Sequence, residues 1–150
     1  MVAQYPREDA VEPKQEAVRQ LLQSHILFSL LPEPEKHALE PLFEMRDYQA
    51  NQVIVDQNTP MDGLYIVCAG RVRLKQTLNG KRVSLGELGR EASFGERCLI
   101  ESTQWPYQVI ASERVTSLKL PGDPVRALLG RHPKALELFK KHIGWVELSH

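Results

Sequence analysis

The chain has 150 residues, 19 basic and 19 acidic, for a formal net charge of zero, with 42% hydrophobic and 25% charged side chains. That composition excludes intrinsic disorder and lacks the basic excess by which a DNA reader neutralises phosphates. No apolar run approaches the roughly 18–20 residues that cross a bilayer, so a cytoplasmic, single-domain chain without a membrane segment is expected.

Residues 1–14 are polar, include Pro6 and Pro13, and read as a flexible leader without the apolar character of a secretory signal. N-terminal helices are expected over residues 15–44. Val18, Leu21 and Leu22 share one helical face and lead into a tight apolar patch, Ile26, Leu27, Phe28, Leu30 and Leu31. Pro32 interrupts it. A second short helix starts at Pro34, an acceptable first-turn position, and Pro41 kinks or shortens it.

After Met45 the apolar period changes from about 3.6 to 2, and residues 45–121 are expected to form a β-roll. Val53–Val55, Leu64–Cys68, Arg71–Lys75, Arg82–Leu85, Tyr107–Ile110 and Val115–Leu118 read as short strands. Asn79-Gly80 between two alternating segments is a strong hairpin signal, because both residues tolerate positive φ. Short strands at this spacing imply a mainly β fold, an antiparallel roll or jelly-roll barrel with helices at both ends.

C-terminal helices are expected over residues 122–150. Asp123 is placed to cap a helix starting at Pro124, with Val125, Leu128 and Leu129 apolar and Gly130 closing it. Pro133 starts a final helix to about Ser149. Its Leu136, Phe139, Ile143 and Val146 step by 3, 4 and 3 into a narrow apolar seam. That seam either packs on the roll or serves as a dimer contact or a moving lid. Trp145 lies off it.

The chemistry is concentrated between Leu88 and Tyr107. A strand ends, a glycine-containing turn follows, and Phe94-Gly95-Glu96 opens a short helical turn. Unpaired N–H groups at such a start favour an anion, and Gly95 has no Cβ to obstruct its approach. Glu96 suits a ligand that also presents a hydroxyl, which a carboxylate accepts.

Several motifs stand in order: Asp62-Gly63-Leu64-Tyr65-Ile66-Val67-Cys68-Ala69-Gly70-Arg71-Val72, then Leu88-Gly89 with Phe94-Gly95-Glu96, then Val109-Ile110-Ala111. In these the chain resembles the cyclic nucleotide-binding domain family, over roughly Ile26 to Leu129. The resemblance implies a phosphate-binding cassette that draws on Phe94, Gly95, Glu96, Arg97, Cys98, Leu99, Trp105, Pro106 and Tyr107, with cAMP or cGMP as the ligand class. It also marks departures. Asn51, Asn58 and Glu91 stand where the family commonly has glycine, and asparagine is the next best residue at left-handed φ. In ligand-binding members an arginine ten residues after the cassette glycine pairs with the cyclic phosphate; counted from Gly95, that position is Trp105. Pro106 and Tyr107 replace small residues, and Arg97 replaces an apolar one.

Losing one partner of a desolvated charge pair at a binding site costs ~2–5 kcal/mol. The expectation is therefore a non-enzymatic regulatory or sensor domain whose nucleotide binding is lost or altered. One alternative keeps cAMP or cGMP through Glu96, backbone amides and a substitute cation, Arg90 or Arg97. Another makes the chain the regulatory segment or interaction module of a larger bacterial transporter, kinase or channel. The sequence stops at His150, where transcription-factor relatives carry DNA-reading helices. No DNA-binding region is therefore expected, and the output falls to a protein partner, a fused domain or a homodimer.

Other constellations point away from catalysis. Cys68 and Cys98 read as reduced thiols. His25, His37, His132, His142 and His150 lack metal-ligand spacing. Ser84, Ser93 and Ser102 lack a nucleophile elbow, and Glu91, Glu96 and Glu101 cannot be argued into a carboxylate pair.

Overall fold

Among the described residues there are eight strands, β1 (Glu44–Tyr48), β2 (Val53–Val55), β3 (Gly63–Ala69), β4 (Val72–Leu78), β5 (Lys81–Leu88), β6 (Ser93–Phe94), β7 (Gln108–Ala111) and β8 (Val115–Pro121). They form two four-stranded antiparallel sheets, ordered β1-β8-β3-β6 and β2-β7-β4-β5. The helices are α1 (Pro13–Ser24), α2 (Glu33–Leu39), α3 (Gly122–Gly130) and α4 (Pro133–Leu148). This computed structural model describes residues 13–148, with side chains over 14–143. The leader up to residue 12, Trp145 and Val146 lie outside the described residues or side chains. The mainly β roll expected from the two-residue period is the fold observed.

Position in the sheet explains composition. β3 lies between β8 and β6 and reads Gly-Leu-Tyr-Ile-Val-Cys-Ala, its first five residues buried, as expected of a strand covered on both faces. β5 is an edge strand, exposed along nearly all its length, and alternates charged, apolar and small residues. β4 and β5 meet at Asn79 (φ 52°) and Gly80 (φ 78°), with Leu78 opposite Lys81. Two consecutive positive φ values make the tight turn whose twist matches the strands.

The roll encloses one apolar cluster around Val67, Val72, Val109, Ala111 and Val115, with Tyr65, Phe94 and Trp105 among them. Two strands escaped the sequence pattern. Glu44–Tyr48 is held through its pairing with β8, Met45 opposite Leu118. Ser93–Phe94 is two residues long and pairs with Ile66 and Tyr65. Asn51 and Asn58 adopt φ of 70° and 67°, the left-handed geometry expected of them.

The chain divides into two compact units, with the boundary between Pro41 and Leu42. In the first, α2 starts one residue before Pro34 and stops at Leu39, and Pro41 lies in the 3-10 turn that follows. The expected shortening by proline is therefore present. The apolar patch after α1 does not act as one unit. Leu27, Phe28 and Leu31 are buried, whereas Ile26 and Leu30 are 56% and 47% exposed, because a 3-10 turn at Phe28–Leu30 turns successive side chains to different sides.

The second unit corrects another expectation. Asp123 does not cap α3: the helix starts at Gly122 directly after the Pro121 end of β8, and no side chain caps it. Gly122 N–H donates instead to the carbonyl of Asp62 at 3.2 Å, and Asp123 in the first turn pairs with Arg126. Of the seam expected on α4, Phe139 and Ile143 are buried, joined by Ala135, and Leu136 is half-buried, while Val146 lies outside the described side chains.

Candidate functional site

The segment from Ser93 to Tyr107 is shaped by one left-handed glycine. Gly95 (φ 95°) ends β6 and precedes a 3-10 turn at Glu96–Leu99. A Cβ at Gly95 would lie 2.7 Å from Trp105 Cη2 and 3.3 Å from Trp105 Cζ3, and closer still to the carbonyl oxygen of Gly63. The sequence suggested that the bare α-carbon lets an anion approach. The group that approaches it here is the indole of Trp105.

Trp105 is 1% exposed. Its backbone N–H donates to the Thr59 carbonyl at 2.9 Å, and its carbonyl accepts from Asn58 N–H at 2.8 Å. These bonds tie the segment at Trp105 to the left-handed turn at Asn58 and leave the indole buried. Inside, Phe94 stacks on Tyr65 with ring centroids 5.1 Å apart and planes 1° from parallel. Trp105 meets each of the two at 5.9 Å and 56°, and the Tyr107 ring lies 6.1 Å from it, tilted by 48°. Tilted arrangements of this kind are the favoured aromatic geometry.

The polar members divide. The carboxylate of Glu96 accepts a 2.5 Å hydrogen bond from Ser93 Oγ, so the acceptor expected for a ligand hydroxyl is engaged by a hydroxyl of the chain. Burial pushes the Tyr107 phenol up to about 12, and the nearby charge of Glu96 adds to the effect. Arg97, a candidate substitute cation, forms an ion pair with Glu101 four residues on. Arg90 is exposed, and its charge is felt by the half-buried Cys68 thiol, which burial pushes up. Pro106 is exposed, and its carbonyl accepts from Gln76 Nε2 at 2.9 Å. Cys98 and Leu99 are fully buried; burial pushes the Cys98 thiol up to about 12, so it stays protonated and inert.

Two arrangements were not found by sequence reasoning. Asp62 accepts from the Tyr65 hydroxyl at 3.1 Å and pairs with Lys119 at 2.7 Å, and the ammonium also lies 5.7 Å from the Tyr65 ring centre. Arg126 of α3 donates to the carbonyls of Cys98 and Glu101, in and just after the 3-10 turn Glu96–Leu99. Asp62 joins Lys119, 57 residues away in sequence, and Arg126 joins residues more than twenty positions before it, so no local pattern signalled either. Among the described residues, no group of three or more His, Cys, Asp or Glu could hold a metal, and no helix is long and apolar enough to cross a membrane.

Residues 45–132 match the sequence profile described as "Cyclic nucleotide-binding domain". The chain is 33% identical over 108 residues to "Lysophospholipase NTE1" of Phaeosphaeria nodorum, covering 71% of this chain and 7% of that protein. It is 32% identical over 111 residues to the "Cyclic AMP receptor protein" of Thermus thermophilus, covering 73% of this chain and 51% of the relative. The chain thus spans about half the length of one curated relative and a small fraction of the other. Its fold is similar to the regulatory domain of Toxoplasma gondii PKA crystallised with cAMP, with a TM-score of 0.70 at 19% identity over 79% of this chain and 45% of that one.

Proposed function

Because the chain belongs to the cyclic nucleotide-binding domain family, we propose that it is a non-enzymatic regulatory module in which ordinary cAMP or cGMP binding is lost or altered. The observation that carries this reading is the indole of Trp105, buried within contact distance of the left-handed Gly95. In this reading Trp105 replaces the phosphate-pairing arginine and covers the backbone that would cradle the phosphate. The ion pair of Arg97 with Glu101 supports it, since that guanidinium already has a carboxylate.

A second reading keeps a ligand, and Glu96 favours it. Its carboxylate retains an acceptor geometry for hydroxyl groups, now used by Ser93. A nucleotide that displaced the Ser93 hydroxyl and moved the indole would restore that contact. In either reading the output is a population shift: occupation of the site or of a partner surface repositions the C-terminal helices. The module acts on a protein partner, a fused domain or a second copy, and its place is the cytoplasm.

Calorimetric titration of cAMP and cGMP tests the assignment. The wild-type chain is expected to bind roughly 30- to 5,000-fold more weakly than a micromolar site, the loss of one desolvated charge partner. Trp105→Arg is expected to recover part of that affinity. Micromolar binding by the wild type that disappears on Glu96→Ala overturns the lost-binding reading in favour of the second.

A further inference from the structure

Ser84 is exposed in the middle of β5, an edge strand of its sheet. Lys81 and Arg82 stand three and two residues before it, and Leu85 follows it. An already extended segment thus presents a hydroxyl behind two cations and ahead of an apolar side chain. Protein kinases select their acceptors by charge patterns of this kind. Ser93 and Ser117 each stand three residues after an arginine, but Ser93 is half-buried and donates to Glu96, and Ser117 is 1% exposed. Neither is open to an enzyme.

The tertiary structure adds cations that the segment itself lacks. Val72 belongs to the core cluster and Leu74 packs against it, so by alternation Arg73, Lys75 and Thr77 point to the outer face of β4. Lys75 is the direct cross-strand partner of Ser84, and Thr77 that of Arg82. Residues so opposed have Cβ atoms about 4.5–5.5 Å apart on one face. Among the described residues, neither Ser84 Oγ nor the Lys75 ammonium has a hydrogen-bond or ion-pair partner. Arg82 and Arg73 donate to the neutral amide oxygens of Gln108 and Asn51. The nearby carboxylates are engaged: Asp56 accepts from Gln108 Nε2 at 2.9 Å, and Glu87 pairs with Arg71 at 3.2 Å.

We propose that Ser84 is a phosphorylation site whose product is held by Lys75 and Arg82. A kinase transfers the γ-phosphoryl group of a nucleoside triphosphate to Ser84 Oγ. The Oγ–P bond forms, the bond from γ-phosphorus to the bridging oxygen breaks, and the nucleoside diphosphate leaves. The hydroxyl proton passes to the general base of the kinase. The phosphate brings about 1.5 to 2 negative charges and meets Lys75 across the ladder and Arg82 on its own strand. Charge-assisted bonds then fasten the edge strand to β4. This outer face is opposite the cluster that contains Trp105, so the site stands whether or not a nucleotide binds.

The test incubates the folded full chain with Mg-ATP and a serine kinase selective for cations three and two residues before its acceptor, and maps the product by mass spectrometry. One phosphate on Ser84 is expected. Ser84→Ala is expected to abolish its incorporation, and Lys81→Gln with Arg82→Gln to slow it at least tenfold. In a second measurement, the chain made with phosphoserine at position 84 is titrated by phosphorus NMR beside the phosphorylated peptide 81–88, which carries Arg82 but not Lys75. The second phosphate pKa is expected to be at least about half a unit lower in the folded chain, and Lys75→Met to remove most of that difference. Absence of phosphate on Ser84 overturns the proposal, as does incorporation that Ser84→Ala leaves undiminished. Equal pKa values in chain and peptide overturn it as well, and so does a difference that Lys75→Met leaves unchanged.

Discussion

The guanidinium of Arg126 donates to the main-chain carbonyl of Cys98, which joins α3 to the turn that follows Gly95. The same side chain reaches the carbonyl of Glu101 at 3.4 Å and pairs with Asp123 in its own helix. Gly122 sits beneath this junction, where a Cβ would come within 2.9 Å of the Cys98 carbonyl oxygen. A helix and a 3-10 turn distant in sequence therefore share one set of hydrogen bonds.

Arg126→Ala is expected to lower the stability of the roll by about 1–3 kcal/mol, because it leaves the Cys98 carbonyl without its charged donor. Asp123→Asn removes only an exposed partner and is expected to cost less than about 1 kcal/mol. Urea denaturation of the two variants measures the difference. Equal losses in both variants contradict the junction.

Gly95 and Gly80 both adopt positive φ, yet they differ in surroundings. A Cβ at Gly80 meets nothing within 4 Å, while one at Gly95 meets Trp105 and the Gly63 carbonyl. Gly80→Ala is expected to cost about 1–2 kcal/mol, from backbone strain alone. Gly95→Ala adds steric overlap in a packed site and is expected to cost roughly 3 kcal/mol or more. Thermal and urea unfolding of the pair separate conformational strain from packing.

Glu91 holds φ at 75° with a full side chain. Its side chain is exposed, and its N–H donates to the Val67 carbonyl at 2.8 Å. Glu91→Gly keeps that bond and relieves about 1–2 kcal/mol of left-handed strain, partly offset by the greater freedom of glycine in the unfolded chain. A net gain of up to about 1 kcal/mol is expected, read as a higher denaturant midpoint. A lower midpoint removes the strain argument.

Stability is expected to fall in alkali. Burial raises the Cys98 thiol from 9.0 and the Tyr107 phenol from 10.0, each to about 12. Between the ordinary and the raised values the unfolded chain has lost these protons and the folded chain keeps them. Fewer protons on the unfolded state means that stability decreases as pH rises. The contribution is intact below about pH 9, where both states remain protonated, and is lost progressively toward pH 12. Each group gives up about 1.4 kcal/mol for every pH unit between its ordinary and its raised value. Denaturation at pH 8 and pH 11, on wild type and Cys98→Ala, checks the sign. A flat profile rejects it.

The two-residue period after Met45, the Asn79-Gly80 turn and the asparagines at left-handed φ were legible in the chain, because short-range sterics and alternation act over a few residues. So was the family, from motifs in order. β1 was not. Glu44–Tyr48 has three charged residues in five and becomes a strand through its register with β8. Asp123 looked like a cap because local propensity favours it there, but β8 runs straight into α3, and the first helical N–H is met by the distant Asp62 carbonyl.

Sequence alone determined that an indole stands ten residues after Gly95, since identity and spacing are properties of the chain. Only the tertiary structure decided that the indole turns inward against Gly95 and that Arg97 is bound to Glu101. The direction of a side chain on a turn is set by which distant backbone groups that turn is tied to, here Thr59 and Asn58, and no local pattern encodes that choice.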